Sequence, residues 1–430
     1  MVKCFFFNTF TFFYNYLINL RCKNLNESDF FSEKLTAEER SLYDRQFRFE
    51  GWDQKIIKNS RVLIAGVGGL GCEIAKNLAM VGIGHIDLVD LDIIEHSNLN
   101  RQILFIDSEV GTPKAIAAAK KLRQVNPNII VNGYYTSLER LHPEIYKDAD
   151  VIVGGLDSMN ARFNLNAQCV RFRKPFVDGG TRGYHGHVYT ILPFENGCWS
   201  CDPIPATETD EMAACTVVGK PRKRVHCVFK GVLFFQEKFD KEPNPKNLQH
   251  INFILNYAND LVQKFDFLPL FTQSEVVKLV DRHDPALITI NSVIASIQSH
   301  ETIKILFWQK GNKSLGPPND KYIVFNGMSM KFYHIEKKRN KECWQCGDDV
   351  RRVEVKISQN SPCIEIISSL KRMGYVLDEY MEPILTIMDF DMVKEVDLNT
   401  SPIQNGLRNF EFITAAGFET GEVFVTLLIN

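Results

Sequence analysis

Arg61-Val62-Leu63-Ile64-Ala65-Gly66-Val67-Gly68-Gly69-Leu70-Gly71 is the stretch that decides how this 430-residue chain folds. Its first five residues are a short, mostly apolar run that stops at glycine, as a strand buried on both faces of a parallel sheet does. Gly66, Gly68 and Gly71 then match G-x-G-x-x-G, with Gly69 between them. Glycines at this spacing permit a tight turn and let backbone N–H groups and a helix N-terminus approach a phosphate. A helix is predicted from Cys72 to about Val81, with Ile74, Leu78 and Val81 at helical spacing. A second strand, 85–90, ends at Asp90, nineteen residues past Gly71, where a carboxylate can bind ribose hydroxyls.

Outward from this unit the alternation continues. A helix fits 114–125 and stops before Pro127, and strands fit 129–134, 151–155 and 186–192. Alternating strands and helices imply an α/β fold, a Rossmann-like, doubly wound and mostly parallel sheet. Order loosens over 202–284, which holds the basic cluster Lys220, Arg222, Lys223 and Arg224; this stretch reads as an inserted, mainly helical domain. An apolar helix at 285–306 and a strand at 322–326 resume the sheet. After a charged link, a strand near 353–357, a helix at 363–373 and a strand at 422–429 make a small separate domain. The expected boundaries are 1–35 (extension), 36–201 and 285–348 (two parts of the α/β domain), 202–284 (insertion) and 349–430 (C-terminal domain).

The bulk composition narrows the function. With 45% hydrophobic residues the chain can fill more than one core, and a formal net charge of −2 offers no basic excess for nucleic acid. Eleven cysteines are sparse for a secreted scaffold, and four of them form two Cys-x-x-Cys pairs, so a reduced compartment, the cytoplasm, is expected. Residues 4–20 are uncharged and rich in phenylalanine, but the stretch is short and interrupted by Asn8, Asn15 and Asn19. A disordered or misassigned start is expected there, rather than a membrane span.

A glycine turn followed by an acid suggests a dehydrogenase, but the residues behind it argue against hydride chemistry. Asp90 and Asp92 are followed by Asn98, Arg101 and Gln102, then Lys114, then Asp157 at another strand end. Cations that neutralise phosphate charge and a carboxylate that holds magnesium suit the cleavage of ATP between its α and β phosphates. A G-x-x-x-x-G-K-[ST] loop is absent from the sequence, which excludes a P-loop ATPase.

Leu42-Tyr43-Asp44-Arg45-Gln46, Gly66–Gly71, Asp90–Asp92, Ser97–Gln102, Lys114 and Leu156-Asp157-Ser158, in that order, resemble the activating enzymes of ubiquitin-like modifiers and their bacterial sulfur-carrier-activating relatives. The resemblance covers roughly residues 40–200 and implies a ThiF-type adenylation domain. It implies that Asp90 binds ribose with Asp92 nearby, and that Asn98, Arg101 and Gln102 approach the phosphates. Lys114 would contact the α-phosphate and Asp157 would hold Mg²⁺. It also casts Arg45 as an arginine finger reaching the ATP of a partner subunit; one chain holding finger and site together implies a homodimer.

Cys198-x-x-Cys201 and Cys343-x-x-Cys346 have the knuckle spacing that presents four thiolates to one Zn²⁺ in a closed structural site. Cys215, within Ala214-Cys215-Thr216 and followed by Pro221 and His226-Cys227, resembles the catalytic-cysteine segment of the same enzymes. Positive charge lowers a thiol's pKa, and the basic cluster could supply it or be a solvated face. Cys227 competes for the role, but its apolar surroundings suggest a buried thiol, as for Cys72 and Cys169.

The resemblance therefore implies an enzyme that adenylates the C-terminal glycine of a ubiquitin-like modifier, carries it as a thioester on Cys215 and passes it to a conjugating enzyme. That enzyme would be recruited by a C-terminal β-grasp (ubiquitin-fold) domain. The alternatives are a sulfur-carrier adenylyltransferase, which would stop at the adenylate or pass sulfur onward, and a non-catalytic scaffold subunit. Which modifier is used is not legible in the sequence.

Overall fold

The structure is a computed structural model, and it describes residues 35–201, 224–239, 241, 243–280, 286–389 and 392–430. The expectation for residues 1–34 lies outside the described residues. The described residues fall into two compact units, one made of those in 35–157, 161–201 and 286–430, the other of 158–160 and those in 224–280.

The first unit opens with α1 (Ala37–Leu42) and α2 (Gln54–Lys58). The Thr36 side chain caps α1, accepting from the Glu39 N–H at 3.1 Å while the Glu39 carboxylate accepts from the Thr36 N–H. Then come β1 (Arg61–Ala65), α3 (Gly69–Val81), β2 (His85–Asp90), α4 (Lys114–Val125), β3 (Ile130–Tyr135), α5 (Pro143–Asp148), β4 (Val151–Gly154), α6 (Met159–Phe172), β5 (Phe176–Arg182) and β6 (His185–Ile191). Val62 to Ala65 are completely buried, as an interior strand requires. Helix α3 starts at Gly69, earlier than predicted, because the second half of the glycine turn is its first turn. It buries Leu70, Ile74 and Leu78 along one stripe and stops at Gly82, whose φ of 96° makes a left-handed C-cap.

With β7 (Lys321–Asn326) and β8 (Lys331–Glu336) from later in the chain, the sheet runs β3-β2-β1-β4-β5-β6-β7-β8. Pairings from β3 through β5 are parallel, and those beyond are antiparallel. The strand predicted near 186–192 does not continue the strand–helix alternation. It pairs antiparallel with β5, because the two-residue link Gly183-Tyr184 is too short for a parallel crossover. The α10 helix (Ile288–Gln309) packs on α3 and β5, and β7 and β8 complete the sheet. The α10 residue Gln298 donates from Nε2 to the carbonyl of Gly154 at 2.7 Å, fastening the helix to the end of β4.

The same unit includes a five-stranded C-terminal sheet, ordered β11-β10-β12-β13-β9. Its elements are β9 (Arg352–Ile357), α11 (Ile364–Arg372), β10 (Ile384–Asp389), β11 (Met392–Glu395), β12 (Phe412–Ala416) and β13 (Val423–Ile429). The first and last strands pair in parallel, the others antiparallel. Arg171, at the end of α6, donates to the Phe410 carbonyl and stacks its guanidinium 4.9 Å from the Phe412 ring, joining the two sheets.

The second unit is helical where described: α7 (Arg224–Phe239), α8 (Leu248–Phe265) and α9 (Gln273–Val280). Its core includes Cys227, Phe235, Ile254, Ala258, Val262 and Val276. No helix among the described residues is long and apolar enough to cross a membrane.

A buried ion pair fixes the segment that leads to Arg45. Lys58 Nζ lies 2.9 Å from the Glu39 carboxylate, with both side chains more than nine-tenths shielded. Breaking one partner of such a pair strands a buried charge. Lys58→Met should lower unfolding stability by about 3–5 kcal/mol, and Glu39→Leu added to it should restore most of the loss, as read by urea denaturation.

Candidate active site

The candidate site lies at the C-terminal ends of β1 and β4, where the winding direction of the parallel strands reverses. Ligands of open α/β sheets bind at such a switch point. Gly66 takes φ 86°, and a Cβ there would stand 2.8 Å from the Gly155 carbonyl oxygen. A Cβ on Gly71 would lie 1.9 Å from the Gly66 oxygen. Gly68 is the helix N-cap and a Cβ there would meet nothing within 4 Å, so the open side of the turn is free to receive a ligand.

Asp90 turns its carboxylate back onto this turn. It accepts from the Val67 N–H at 2.6 Å and from the Asp92 N–H at 2.8 Å. Burial pushes its carboxyl upward, against the pull of those two N–H groups and the Lys114 charge. Lys114, at the start of α4, is buried and pairs its ammonium with Asp92 at 2.8 Å. The Asp92 carboxylate is half exposed, so it can yield that ammonium to a phosphate.

Asn98 ends a short 3-10 turn (His96–Asn98), and Arg101 and Gln102 follow it. The Asn98 side chain accepts from the Glu95 N–H at 2.9 Å and so shapes the loop. The Arg101 guanidinium donates to the Ser97 carbonyl at 2.7 Å, and its stem passes 3.7 Å from where a Gly69 Cβ would sit. Gln102 is buried, with its Oε1 unpartnered among the described residues. Asp157 is exposed on the loop after β4, whose Gly155 N–H donates to the Ala65 carbonyl at 2.9 Å. The glycine turn, Asp90 and the β4 loop thus adjoin, with Arg101 against Gly69. Arg45 lies on an exposed turn, and among the described residues no hydrogen bond or ion pair ties it to this site.

Two residues here were missed by sequence reasoning. Asn291 of α10 crowds Gly69, with its Nδ2 2.3 Å from the position a Cβ would take, and accepts from Thr181 Oγ1 at 2.7 Å. Arg162 of α6 is buried and donates to Asp178 at 2.6 Å, the Leu156 carbonyl at 2.5 Å and the Gly179 carbonyl at 3.2 Å. Through Leu156 it holds the loop that carries Asp157. Neither residue belongs to a local motif; only the tertiary fold delivers them.

Cys198, Cys201, Cys343 and Cys346 converge, with all four Sγ atoms within 4.8 Å of one another. Three separations are 3.8, 3.8 and 3.3 Å. A tetrahedron with Zn–S bonds of about 2.3 Å has S···S edges of roughly 3.8 Å, so the donor set fits Zn²⁺. Cys215, Lys220, Arg222 and Lys223 lie outside the described residues. Arg224 is committed to Glu275 at 3.1 Å and to the Phe271 ring at 3.8 Å. Cys227 is fully buried, and burial pushes its thiol up to about 11. Cys72 and Cys169 are buried likewise, with thiols raised by desolvation.

The ThiF family model matches residues 43–345, which include the glycine turn, Asp157 and three of the four clustered cysteines, Cys198, Cys201 and Cys343. The chain belongs to the ThiF family. Its match to the NEDD8-activating enzyme E1 catalytic subunit of Arabidopsis thaliana is 29% identity over 388 residues, 82% of this chain and 84% of that protein. The protein of the same description from Schizosaccharomyces pombe is 31% identical over 317 residues, 67% of this chain and 70% of that one. SUMO-activating enzyme subunit 2 of Dictyostelium discoideum is 32% identical over 185 residues, 43% of this chain and 28% of that one. In this ThiF-family chain the cysteine cluster joins the stretch after β6 to the stretch before β9, far apart in sequence. Elemental analysis of the purified protein should find about one zinc per chain. Cys201→Ala should lose most of it together with a cooperative thermal transition; a folded, zinc-free wild-type protein would contradict the assignment.

Proposed function

We propose that this chain is the catalytic subunit of an activating enzyme for a ubiquitin-like modifier, with NEDD8, named for its relatives, as the first candidate. The observation that carries this is the length of the match. An alignment over 82% of the chain exceeds the ThiF region 43–345, so likeness to the E1 catalytic subunits extends beyond the adenylation fold. A sulfur-carrier adenylyltransferase or a scaffold subunit accounts less well for that extent. A protein substrate also suits the β7–β8 hairpin, which exposes Met328, Met330, Phe332, Tyr333 and Ile335 to solvent.

In this reading the glycine turn and the N-terminus of α3 take the phosphates of ATP, and Asp90 binds the ribose. Arg101, Lys114, Asn98 and Gln102 surround the phosphate chain. Asp157 would hold Mg²⁺, whose charge stabilises the departing pyrophosphate. The modifier's C-terminal carboxylate oxygen attacks the α-phosphorus, the bond to the β-phosphate oxygen breaks and pyrophosphate leaves. The Cys215 thiolate then attacks the acyl carbon, the carbon–oxygen bond to AMP breaks and the modifier is held as a thioester. The four cysteines would fill every position of a tetrahedral Zn²⁺, so the metal they would hold would serve the fold rather than the chemistry. The C-terminal sheet, with parallel first and last strands and one helix, suits a β-grasp module that recruits the conjugating enzyme.

Modifier-dependent ATP–pyrophosphate exchange tests both halves. Asp157→Ala should reduce exchange at least about a hundredfold, within the range for loss of transition-state charge stabilisation. Cys215→Ala should retain exchange and lose the thiol-sensitive, modifier-linked band on non-reducing gels. Persistence of that band in Cys215→Ala would reject the nucleophile, and exchange indifferent to Asp157 would reject the site.

The description "catalytic subunit" attached to its relatives favours a different, companion chain over the homodimer implied by Arg45. Light scattering on the purified chain should then give the mass of one chain, with full exchange activity restored by the companion. A two-chain mass, with activity recovered on mixing Arg45→Ala and Asp157→Ala proteins, would instead establish the homodimer.

A further inference from the structure

A cleft of about 400 Å³ lies between the flank of the adenylation sheet and the C-terminal sheet, away from the glycine turn. Its lining includes four arginines, Arg171, Arg173, Arg339 and Arg352, together with Phe194 and Asp348. Three guanidiniums crowd one ring: Arg173 stands 4.8 Å from the Phe194 centroid, and Arg339 and Arg352 each 5.7 Å.

Two of the four are accounted for by the fold. Arg171 donates to the Phe410 carbonyl and to Thr426. Arg339 pairs with Asp348 and donates to the Cys346 carbonyl at 2.6 Å, bracing the cysteine knuckle. Arg173 and Arg352 are left over. Among the described residues neither has a carboxylate partner, and Arg352 makes only a 3.3 Å hydrogen bond to the Val350 carbonyl. Glu354, the other acid on the lining, pairs with none of them.

Gathering like charges in a partly sheltered cleft is unfavourable unless negative charge joins them; the nearby thiols of Cys346 and Cys343 favour the Arg352 cation but accept no hydrogen bond from it. Aromatic contact offsets part of that cost, but it leaves the donor forks of Arg173 and Arg352 unfilled. The backbone fixes where two of these side chains start: Arg173, at φ 53°, is the left-handed cap of α6, with the Lys174 N–H donating to the Cys169 carbonyl at 2.8 Å, and Phe194, at φ 72°, lies in the turn closed by the Glu195 N–H on the Leu192 carbonyl.

We propose that this cleft is a phosphate site, in which Arg173 and Arg352 clamp a phosphate dianion against Phe194. Paired guanidinium forks match the oxygens of a phosphate, and the volume leaves room for an esterified group behind it. Arg173 follows α6 in the adenylation part and Arg352 opens β9 in the C-terminal part. The anion therefore bridges the two sheets, and its binding tightens the C-terminal domain on the adenylation domain.

Equilibrium dialysis of the full-length, metal-loaded protein with radiolabelled inorganic phosphate tests this. Ionic strength is held with chloride, and a non-hydrolysable ATP analogue fills the glycine-turn site. Wild type should bind one phosphate per chain saturably. Arg173→Ser and Arg352→Ser should each weaken binding by roughly tenfold or more, the worth of one charge-assisted contact, with zinc content unchanged. Arg173→Lys and Arg352→Lys, which retain charge and lose the fork, should weaken it severalfold and serve where a serine variant fails to fold. Phosphoserine competing more strongly than phosphate would identify an esterified source, and weaker competition a free one. Absence of saturable binding, binding unchanged in all four variants, or serine variants that shed zinc while wild type binds no phosphate would overturn the proposal. The last result would assign the guanidiniums to the cysteine cluster alone.

Discussion

The contact between the glycine turn and the loop after β4 is the constraint on which the rest of this molecule depends. The Gly155 N–H donates to the Ala65 carbonyl at 2.9 Å, and a Cβ on Gly66 would stand only 2.8 Å from the Gly155 oxygen. A Cβ on Gly155 would in turn reach 3.0 Å from the Gly71 nitrogen. Backbone meets backbone here because β1 and β4 are adjacent at the switch point of the sheet. The glycine-turn N–H groups from one segment and the Asp157 loop from the other are thereby brought to one place. No side chain could be added at Gly66 without forcing these segments apart, and one at Gly71 would strike the Gly66 oxygen within the turn itself.

Behind that contact stands a polar network. Arg162 holds the Leu156 carbonyl, Asp178 and the Gly179 carbonyl, while His187 stacks on Tyr322 at 5.2 Å. The Arg162 guanidinium also stands 5.9 Å from the Trp199 ring, within the first cysteine pair. Asn166, one turn further along α6, accepts from the Trp199 N–H at 3.3 Å and donates to Gln345 in the second pair. A buried ion pair is weak evidence for stability, since desolvation offsets its attraction. Its worth here lies in geometry: the cysteine cluster and the Asp157 loop are both referenced to the same helix.

Much of this frame was legible in the sequence, and for identifiable reasons. The run from Arg61 to Gly71 combines a buried strand, a turn that only glycine tolerates and a helix stripe, each with its own periodicity. The strands at 61–65 and 85–90 and the helix at 114–125 follow directly from such local patterns. The antiparallel return of β6 is not legible in the sequence, because a two-residue link decides it and Asp178-Gly179-Gly180 disguises the strand before it. Strands β10 to β12 escaped for a related reason. Residues 374–421 mix turn residues with short apolar runs, and pairing is what makes them strands: β12 with β13, β10 with β12 and β11 with β10.

At the site the division is similar. Gly66, Gly68, Gly71, Asp90 and Lys114 sit at element ends, where sequence position announces a role. Asn291 and Arg162 lie inside helices and act across tertiary contacts, so no spacing marks them. The Lys114–Asp92 pair shows what sequence order alone omits. A lysine expected to meet a phosphate is, without one, held at 2.8 Å by a half-exposed aspartate. Burying that ammonium unpaired would cost more than the surface pairing does, so Asp92 stores the cation until a more highly charged anion arrives. Phosphate oxygens can displace the aspartate because its carboxylate is recovered by water as the lysine leaves. The Lys114 charge is thus already balanced by Asp92, and in the proposed reading a phosphate would exchange one partner for another rather than create a new buried charge.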